Sequence, residues 1–362
     1  MASAVANLIL GRVPSYTRMS RHFDLLRRYG RPAKLLNLVR AEVARARADV
    51  VVKSKPYVYT VDTGNYCNLR CPLCPTGYHG LERPQAVLSL QSFNTVLGKI
   101  RPYAIEVILH NWGEPFLNPD IVPIIRATKA AGIATTFSSN LSLVHRGDAF
   151  LREVVESGLD HLTVSLDGTT QEVYETYRKG GDVAEVFHNL RVLLDHKARL
   201  KRRTPVVEWQ FLVMKHNQHQ MGEVKRISSE LGVDQVRFTS PGLPFDSLMN
   251  VKLADKWITD DPAYRLYHPE RIGKNGYLYD ERCFYLYRAM TVNPKGEVSP
   301  CCAVYHSKWD FGNLLESELG EIWNNAHYRS SRALISRKPV EGAVETVCNR
   351  CPLFKFESAS VH

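Results

Sequence analysis

Short runs of β-forming residues alternate with longer amphipathic segments from about Pro56 to about Pro241, and this alternation restricts the folds open to the chain. The predicted strands are Val58–Val61, Glu106–Leu109, Ile133–Phe137, His161–Ser165, Val206–Met214 and Val236–Phe238. The predicted helices are Leu90–Ile100, Asp120–Ala131, Ala149–Ser157, Val183–His196 and Met221–Leu231. Six successive β–α units predict a parallel sheet with right-handed crossovers, curled into a partial barrel two units short of the eight-stranded one. In parallel α/β folds, ligands bind where the carboxyl ends of the strands meet.

The chain divides into three zones around this pattern. Residues 1–55 are predicted to form a basic helical N-terminal arm, residues 56–245 the partial (β/α)6 barrel, and residues 246–362 a linker and a small C-terminal module. The module begins where the β–α pattern gives way to segments rich in Tyr, Asp and Cys. With 44% hydrophobic and 23% charged residues among 362, the composition excludes a disordered or fibrous protein.

The positive charge is concentrated in the N-terminal arm. It holds twelve Lys and Arg residues against three acidic ones, so +9 of the formal +10 lies within residues 1–55. A body that is nearly neutral argues against a nucleic-acid-binding protein. The interspersed leucines suggest contact with anionic lipid or with the phosphates of a carrier-linked substrate. Helices packed across the base of the barrel are the simpler explanation, and we prefer it.

Targeting signals are not apparent in the sequence. No apolar run reaches the ~20 residues that a membrane-spanning helix needs. The mildly apolar start, Ala2–Leu10, lacks a basic region before it and a small-residue cleavage site after it, so we expect a cytoplasmic protein.

Eight cysteines in such a chain favour metal binding over disulfides. Cys67, Cys71 and Cys74, which we call the first cysteine group, follow the first predicted strand at the mouth of the barrel. Three thiolates need a fourth ligand to close a tetrahedral zinc site, and His79 is a candidate. A 4Fe–4S cluster held by three thiolates would instead leave one iron open to a small molecule.

The Cys-x3-Cys-x2-Cys spacing after a first barrel strand resembles the signature of the radical S-adenosylmethionine (SAM) superfamily. Trp112-Gly-Glu-Pro115 resembles the family's Gly-Gly-Glu-Pro motif, with Trp in place of the first Gly. Further landmarks follow the third and fourth strands in the expected order. The resemblance implies that SAM is bound by Gly113, Glu114, Ser138, Asn140, Ser165, Asp167 and Arg178. One departure is Leu73, which stands where many members have an aromatic residue against the adenine.

The resemblance also implies the chemistry. A catalytic 4Fe–4S cluster on the first cysteine group would bind SAM through its open iron and cleave it to a 5′-deoxyadenosyl radical. The cofactor carries the difficult step, and the protein positions it and excludes water. A flavodoxin or ferredoxin-type protein is the expected electron donor.

A second cysteine group lies beyond the barrel and consists of Cys283, Cys301, Cys348 and Cys351. It resembles the C-terminal module of SPASM and twitch members of the superfamily, which carries auxiliary iron–sulfur clusters. A full SPASM module needs about seven cysteines, so the resemblance implies one auxiliary 4Fe–4S cluster with four thiolate ligands. The alternative is a structural zinc site made by the same four cysteines.

Cys302 is left over from these assignments. It is either a structural neighbour of Cys301, an alternative cluster ligand in its place, or a hydrogen-atom donor. An epimerase needs such a donor, whereas a dehydrogenase needs a base to deprotonate the substrate radical. Glu208 and Arg237, both on predicted strands, are the candidate bases.

The resemblance extends to sugar- and aminocyclitol-modifying members with a twitch-type module. It implies hydrogen abstraction from a C–H bond of a sugar-like small molecule, ending in epimerisation or alcohol oxidation. Peptide-modifying SPASM enzymes, which form thioether or carbon–carbon crosslinks, are the first alternative. They often begin with a recognition domain longer than this N-terminal arm. A zinc-stapled binding protein is the alternative outside enzymes.

Overall fold

The computed structural model describes residues 16–143, 146–270 and 283–354, and within them a single nine-stranded sheet. Its strands are β1 Val58–Val61, β2 Glu106–Ile108, β3 Ala134–Ser139, β4 His161–Ser165, β5 Val206–Leu212, β6 Gln235–Thr239, β7 Ala289–Val292, β8 Glu297–Ser299 and β9 Gly312–Asn313. The strand order is β6-β5-β4-β3-β2-β1-β7-β8-β9. Neighbouring strands from β6 to β7 are parallel, and β8 and β9 are antiparallel additions.

The six predicted strands are confirmed, and so is an α/β fold with a parallel sheet that does not close into a barrel. The C-terminal zone contributes a seventh parallel strand that the sequence pattern did not predict. This strand, β7, pairs with β1 in the register Val58↔Ala289 to Val61↔Val292. The zone boundaries at residues 55 and 245 stay predictions, but the sheet runs across the second of them.

The longer helices lie between successive strands, as the β–α pattern predicts. The helices of the described residues are α1 Tyr16–Tyr29, α2 Pro32–Arg47, α3 Leu90–Ile100, α4 Ile121–Ala130, α5 Gly147–Glu156, α6 Gln171–Tyr177, α7 Val183–Arg199, α8 Met221–Leu231, α9 Val251–Trp257, α10 Tyr285–Arg288, α11 Leu319–Trp323 and α12 Ala326–Ser336. Local signals explain several ends. Ser89 accepts a hydrogen bond from the Ser92 N–H at the start of α3, and Gly232 ends α8 at φ 72°.

The two faces of the sheet differ in polarity because side chains alternate along each strand. Val207, Trp209 and Phe211 of β5 point to the helices and are fully buried in the main core. Glu208 and Gln210 lie between them and point to the opposite, concave face. The sequence therefore gives the sheet an apolar outer face against helices and a polar inner face.

Helices α1 and α2 pack across the amino ends of the strands. Their Leu25 and Leu38 join a small core with Tyr57, Ile105 and Ala134, which flank or begin β1, β2 and β3. Around this core, Arg28 pairs with Asp160 at 2.7 Å, and Glu42 accepts hydrogen bonds from Tyr57 and Arg288. These contacts agree with the explanation that we prefer for the N-terminal arm, namely helices packed across the base of the sheet. Residues 1–15 of the arm lie outside the described residues.

Within the described ranges, no helix combines the length and the apolar character needed to cross a lipid bilayer.

Candidate active site

The first cysteine group occupies the loop that follows β1. Cys71 is buried, and Cys67 and Cys74 are partly buried. The Leu69 N–H points at the Cys67 Sγ at 3.4 Å, and the Cys74 N–H donates to the Cys71 carbonyl at 3.1 Å. Gly77 lets the loop fold back on itself, since a Cβ there would lie 2.4 Å from the Cys71 carbonyl oxygen. The backbone thus holds three thiols in one tight turn.

Polar side chains from the loops after β3, β4 and α6 lie beside these thiols. Arg178 lies 3.9 Å from the Cys71 Sγ and forms a 2.6 Å ion pair with the fully buried Asp167. The side-chain amide of Asn140 lies 3.6 Å from the Cys67 Sγ. Burial raises the pKa of Cys71 to about 11, and the charge of Arg178 acts in the opposite direction. Three residues predicted from separate stretches of sequence therefore meet at one group of thiols.

Gly113 and Glu114 have structural reasons for their identity. A Cβ on Gly113 would lie 1.7 Å from the Gly64 carbonyl oxygen, so only glycine lets the loop after β2 touch the loop after β1. The buried carboxylate of Glu114 accepts hydrogen bonds from the Ser139 hydroxyl at 2.7 Å and the Asn140 N–H at 2.8 Å. Glu114 ties the loop after β2 to the end of β3, and burial raises its pKa.

Sequence reasoning missed two residues of this framework. The Ser139 hydroxyl donates to Glu114. The predicted Ser138 lies one position earlier within β3, and its N–H donates to the His110 Nδ1 at 3.1 Å. Buried Asp62, just after β1, accepts hydrogen bonds from the N–H groups of Asn111 and Trp112. Burial raises the pKa of Asp62 to about 7. The sequence did offer a signal for Asp62, because an acidic residue directly follows the first predicted strand.

Ser165 lies at the carboxyl end of β4, as predicted. It is buried and stands opposite Gln210 of β5. Leu73 is buried beside the first cysteine group and lines the main cavity described next. The predicted residues Ser165 and Asp167 thus end up on the side of the sheet where the thiols lie.

The second cysteine group gathers around the same cavity. This cavity has a volume of about 370 Å³, and both Cys74 and all four thiols of the second group line it. The N–H of Leu286 donates to the Cys283 thiol, and Cys348 shares hydrogen bonds with the hydroxyls of Ser331 and Thr346. Burial raises the pKa of Cys351 to about 12.

The remaining cavity walls are largely apolar. They include Leu73, Trp112, Tyr177, Leu243, Phe245, Leu248, Leu286, Ile335 and Phe354. Soft thiolates in a mostly apolar wall are the donor set that iron–sulfur clusters take, three in one group and four in the other. Among the described residues, no three His, Cys, Asp or Glu side chains converge closely enough to hold a single metal ion. His79 is exposed and is not among the residues that line the cavity.

Cys302 points away from the second cysteine group. Its Sγ lies 3.0 Å from the Tyr285 hydroxyl and faces a second cavity, also of about 370 Å³, whose walls include Thr60, Ile108 and His110. Cys301, its neighbour, lines the main cavity instead. Cys301 and Cys302 thus line two different cavities, and Cys302 lies on the concave side of β1 and β2.

Glu208 and Arg237, the candidate bases, lie on the concave face and pair with each other at 2.8 Å. Arg237 also donates to Gln210, and Glu208 accepts from the Thr163 hydroxyl at 3.3 Å. An arginine that is ion-paired in this way does not accept a proton, so the structure argues against Arg237 as a base. The concave face instead presents a fixed array of hydrogen-bonding groups.

Comparison with known families agrees with this geometry. The Radical SAM superfamily model matches residues 61–207, from the end of β1 to the start of β5. The SPASM model, described as an iron–sulfur cluster-binding domain, matches residues 283–352. The first match begins six residues before Cys67 of the first cysteine group, and the second begins at Cys283 of the second cysteine group.

Individual relatives cover different shares of the chain. A tungsten-containing aldehyde ferredoxin oxidoreductase cofactor-modifying protein from Pyrococcus furiosus is 26% identical over 299 residues, 75% of this chain and 82% of that protein. A PqqA peptide cyclase from Ruegeria pomeroyi is 29% identical over 147 residues, 40% of this chain and 37% of that protein. The crystal structure of Streptococcus suis SuiB bound to S-adenosylmethionine has a TM-score of 0.59 at 15% identity, covering 88% of this chain and 75% of SuiB.

Proposed function

Because the chain belongs to the radical SAM superfamily and carries a C-terminal SPASM domain, we propose that it removes a hydrogen atom from a C–H bond of a substrate bound between its two cysteine groups. The observation that carries this proposal is the shared cavity. Its walls include Cys74 of the first group and all four thiols of the second. A substrate there would be within reach of both redox centres.

The first cysteine group would hold the catalytic 4Fe–4S cluster, and the second group one auxiliary 4Fe–4S cluster. With SAM, the catalytic cluster supplies the one-electron chemistry of hydrogen abstraction. Arg178, fixed by Asp167, places a positive charge beside Cys71 that suits the carboxylate of SAM. Glu114 fixes the loop that carries Gly113, and Leu73 and Trp112 keep water from the cavity.

A sugar-like substrate is our first choice because of the concave face, whose polar residues are not among those that line the main cavity, so a sugar held by them would extend beyond that cavity. Glu208, Gln210, Arg237 and Thr163 form one connected array of donors and acceptors there, and Glu106 accepts from the Thr136 hydroxyl nearby on β2 and β3. Several hydroxyl groups on one small molecule would find partners in such an array. The expected outcome is epimerisation or alcohol oxidation.

A peptide substrate is the second candidate, and the walls of the main cavity favour it. Leu243, Phe245 and Leu248 line that cavity and suit an apolar side chain better than a polyol. A relative is a PqqA peptide cyclase, and SuiB, whose fold is shared over most of the chain, has been crystallised with a precursor peptide. The relative with the larger coverage modifies a cofactor, so a small molecule stays our first choice.

Cys302 is our candidate hydrogen-atom donor for epimerisation. Its position on the concave side, apart from the second cysteine group, is what a donor to a radical in the barrel needs. The hydrogen bond with the Tyr285 hydroxyl fixes the thiol and offers a route by which its proton is replaced from solvent. In a dehydrogenase the same thiol would have no chemical role.

The outward face of α2 suggests a peripheral membrane contact. Leu36, Val39 and Val43 are 51%, 54% and 42% exposed on this face, and exposed Arg40 and Arg47 flank them. An apolar stripe bordered by arginines fits the interface of an anionic bilayer. The opposite face of α2 packs across the base of the sheet.

Substrate class is tested by comparing two variants of the reduced, SAM-loaded enzyme. Glu208→Gln disrupts the concave array, and Leu248→Trp fills the main cavity. Stimulation of 5′-deoxyadenosine release is measured with a panel of aminocyclitols and monosaccharides and with a panel of short peptides. We expect stimulation by a polyol that Glu208→Gln reduces at least tenfold. Stimulation only by peptides, blocked by Leu248→Trp and unaffected by Glu208→Gln, would replace the sugar proposal with the peptide one.

A further inference from the structure

Arg332 on α12 is a fully buried cation that pairs with no carboxylate of the described residues. Its Nε donates to the Leu286 carbonyl at 2.9 Å, and its Nη1 donates to the Val50 carbonyl at 3.3 Å and to the Asn324 Oδ1 at 3.1 Å. Its Nη2 has no hydrogen-bond partner among the residues that the structure describes. Burying an unpaired charge is unfavourable, so this arrangement calls for a compensating negative charge.

Three aromatic rings enclose the guanidinium. Its carbon lies 4.6 Å from the ring centre of Trp323, 5.3 Å from that of Tyr328 and 5.7 Å from that of Tyr287. Cation–π attraction to three rings stabilises the charge only in part. Burial lowers the pKa of Arg332 to about 10, which leaves the group protonated at neutral pH.

The second cysteine group is connected to this cage through shared neighbours. Leu286 connects the two, since its N–H donates to the Cys283 thiol while its carbonyl accepts from Arg332. Ser331, the residue before Arg332, shares a hydrogen bond with Cys348. Tyr328, whose ring contacts the guanidinium, lies within electrostatic range of Cys301 and Cys348. Arg332 is therefore linked to Cys283 of the second cysteine group through a single residue, Leu286.

We propose that Arg332 is a fixed counter-charge that raises the reduction potential of the cluster held by the second cysteine group. This inference rests on the proposed function, because it needs an iron–sulfur cluster at those four thiols. A cluster with four thiolate ligands is negatively charged, and reduction adds one further negative charge. A nearby cation in a low-dielectric region stabilises the reduced form more than the oxidised form. Arg332 is a positioning residue in this sense and does not contact substrate.

The experiment is an EPR-monitored redox titration of the reconstituted holoenzyme, with the catalytic cluster as internal reference. Arg332→Met removes the charge, and Arg332→Lys keeps it. Asn324→Asp places a carboxylate on Arg332 with little change in shape and neutralises the charge in place. At a fixed potential, we expect the reduced-to-oxidised ratio of the auxiliary cluster to fall about tenfold in Arg332→Met, a shift of about 59 mV for one electron. Asn324→Asp should shift it in the same direction, and Arg332→Lys should stay within about twofold of the wild type.

The outcomes separate the two proposals. An auxiliary-cluster ratio that stays within twofold of the wild type in both neutralising variants, with iron content unchanged, would overturn the counter-charge. If Arg332→Met loses iron because its fold is weakened, Asn324→Asp decides the question by itself. Iron content that does not fall in Cys348→Ala would overturn the auxiliary cluster, and the counter-charge with it.

Discussion

The two cysteine groups share one cavity but have different surroundings. The first has three thiols and is bordered by hydrogen-bonding and charged side chains, among them Arg178, Asp167 and Asn140. The second has four thiols, a largely apolar neighbourhood and one buried cation, Arg332. Three thiols with polar neighbours suit a centre that exchanges a bound molecule. Four thiols in an apolar pocket suit a centre that only accepts or passes electrons.

Loss of the first cysteine group should have the largest effect. Replacing Cys67, Cys71 and Cys74 by Ala together should abolish SAM cleavage and lower iron from about eight to about four atoms per chain. Iron and sulfide counts and 5′-deoxyadenosine release measure both. Full iron retention in the triple variant would contradict the assignment of the catalytic cluster.

Loss of the second group should separate the two functions. Cys348→Ala should lose about four irons yet still release 5′-deoxyadenosine, because SAM is handled at the first group. Oxidised product should disappear if electrons leave through the second group. Cys302→Ala is the matched control, and it should keep all its iron because the Cys302 thiol faces Tyr285. Iron loss in this control would make Cys302 a ligand.

Arg178→Gln should weaken SAM binding at the first group. A charge-assisted hydrogen bond contributes about 1.5–3 kcal/mol, so the KM for SAM should rise roughly 10- to 150-fold with iron content unchanged. Arg226→Gln is the control, since Arg226 pairs with Glu223 and Glu230 on the exposed surface of α8. An unchanged KM in Arg178→Gln would leave Arg178 as a structural partner of Asp167 only.

Turnover in deuterated water tests Cys302 as the hydrogen-atom donor. An epimerase that uses this thiol should place one deuterium on the inverted carbon, because a thiol proton exchanges with solvent. Cys302→Ala should then release 5′-deoxyadenosine but form little inverted product. A product two mass units lighter than the substrate, formed at nearly the same rate by Cys302→Ala, would identify a dehydrogenase instead.

The smallest expected effect concerns the exposed apolar face of α2. Leu36→Ser with Val39→Ser should lower binding to anionic vesicles at low salt roughly tenfold and leave SAM cleavage unchanged. Met249→Ser, at another exposed apolar residue, is the control for general hydrophobicity. Absence of wild-type binding at low salt would remove the membrane proposal.

The sequence was sufficient for features with a local signature. Strand β4 and helices α3 and α8 have the predicted bounds, because period, caps and terminal glycines lie within the segments themselves. Spacing was equally sufficient to single out the first cysteine group. The helix over Val183–His196 runs on to Arg199, a typical error at an end without a sharp stop signal.

Features made by distant contacts could not be predicted. Strand β7 is recognised only by its partner β1, and no local period marks a pairing between remote segments. The direction of the Cys302 thiol depends on its hydrogen bond with Tyr285. The environment of the Arg332 charge depends on the aromatic rings around it, which come from separate parts of the chain. The hydrogen bonds that Glu114 accepts from Ser139 and Asn140 likewise depend on how two loops meet.

The pairing of β7 with β1 has a consequence for how the chain is made. Val58 leaves the ribosome roughly 230 residues before Ala289, a delay of some ten seconds or more at typical rates of synthesis. Until then β1 is an unpaired edge with open N–H and C=O groups, and such edges invite aggregation. Truncation before β7 would make that exposure permanent. Expression of residues 1–282 alone should therefore yield aggregated protein, although every residue of the first cysteine group is present.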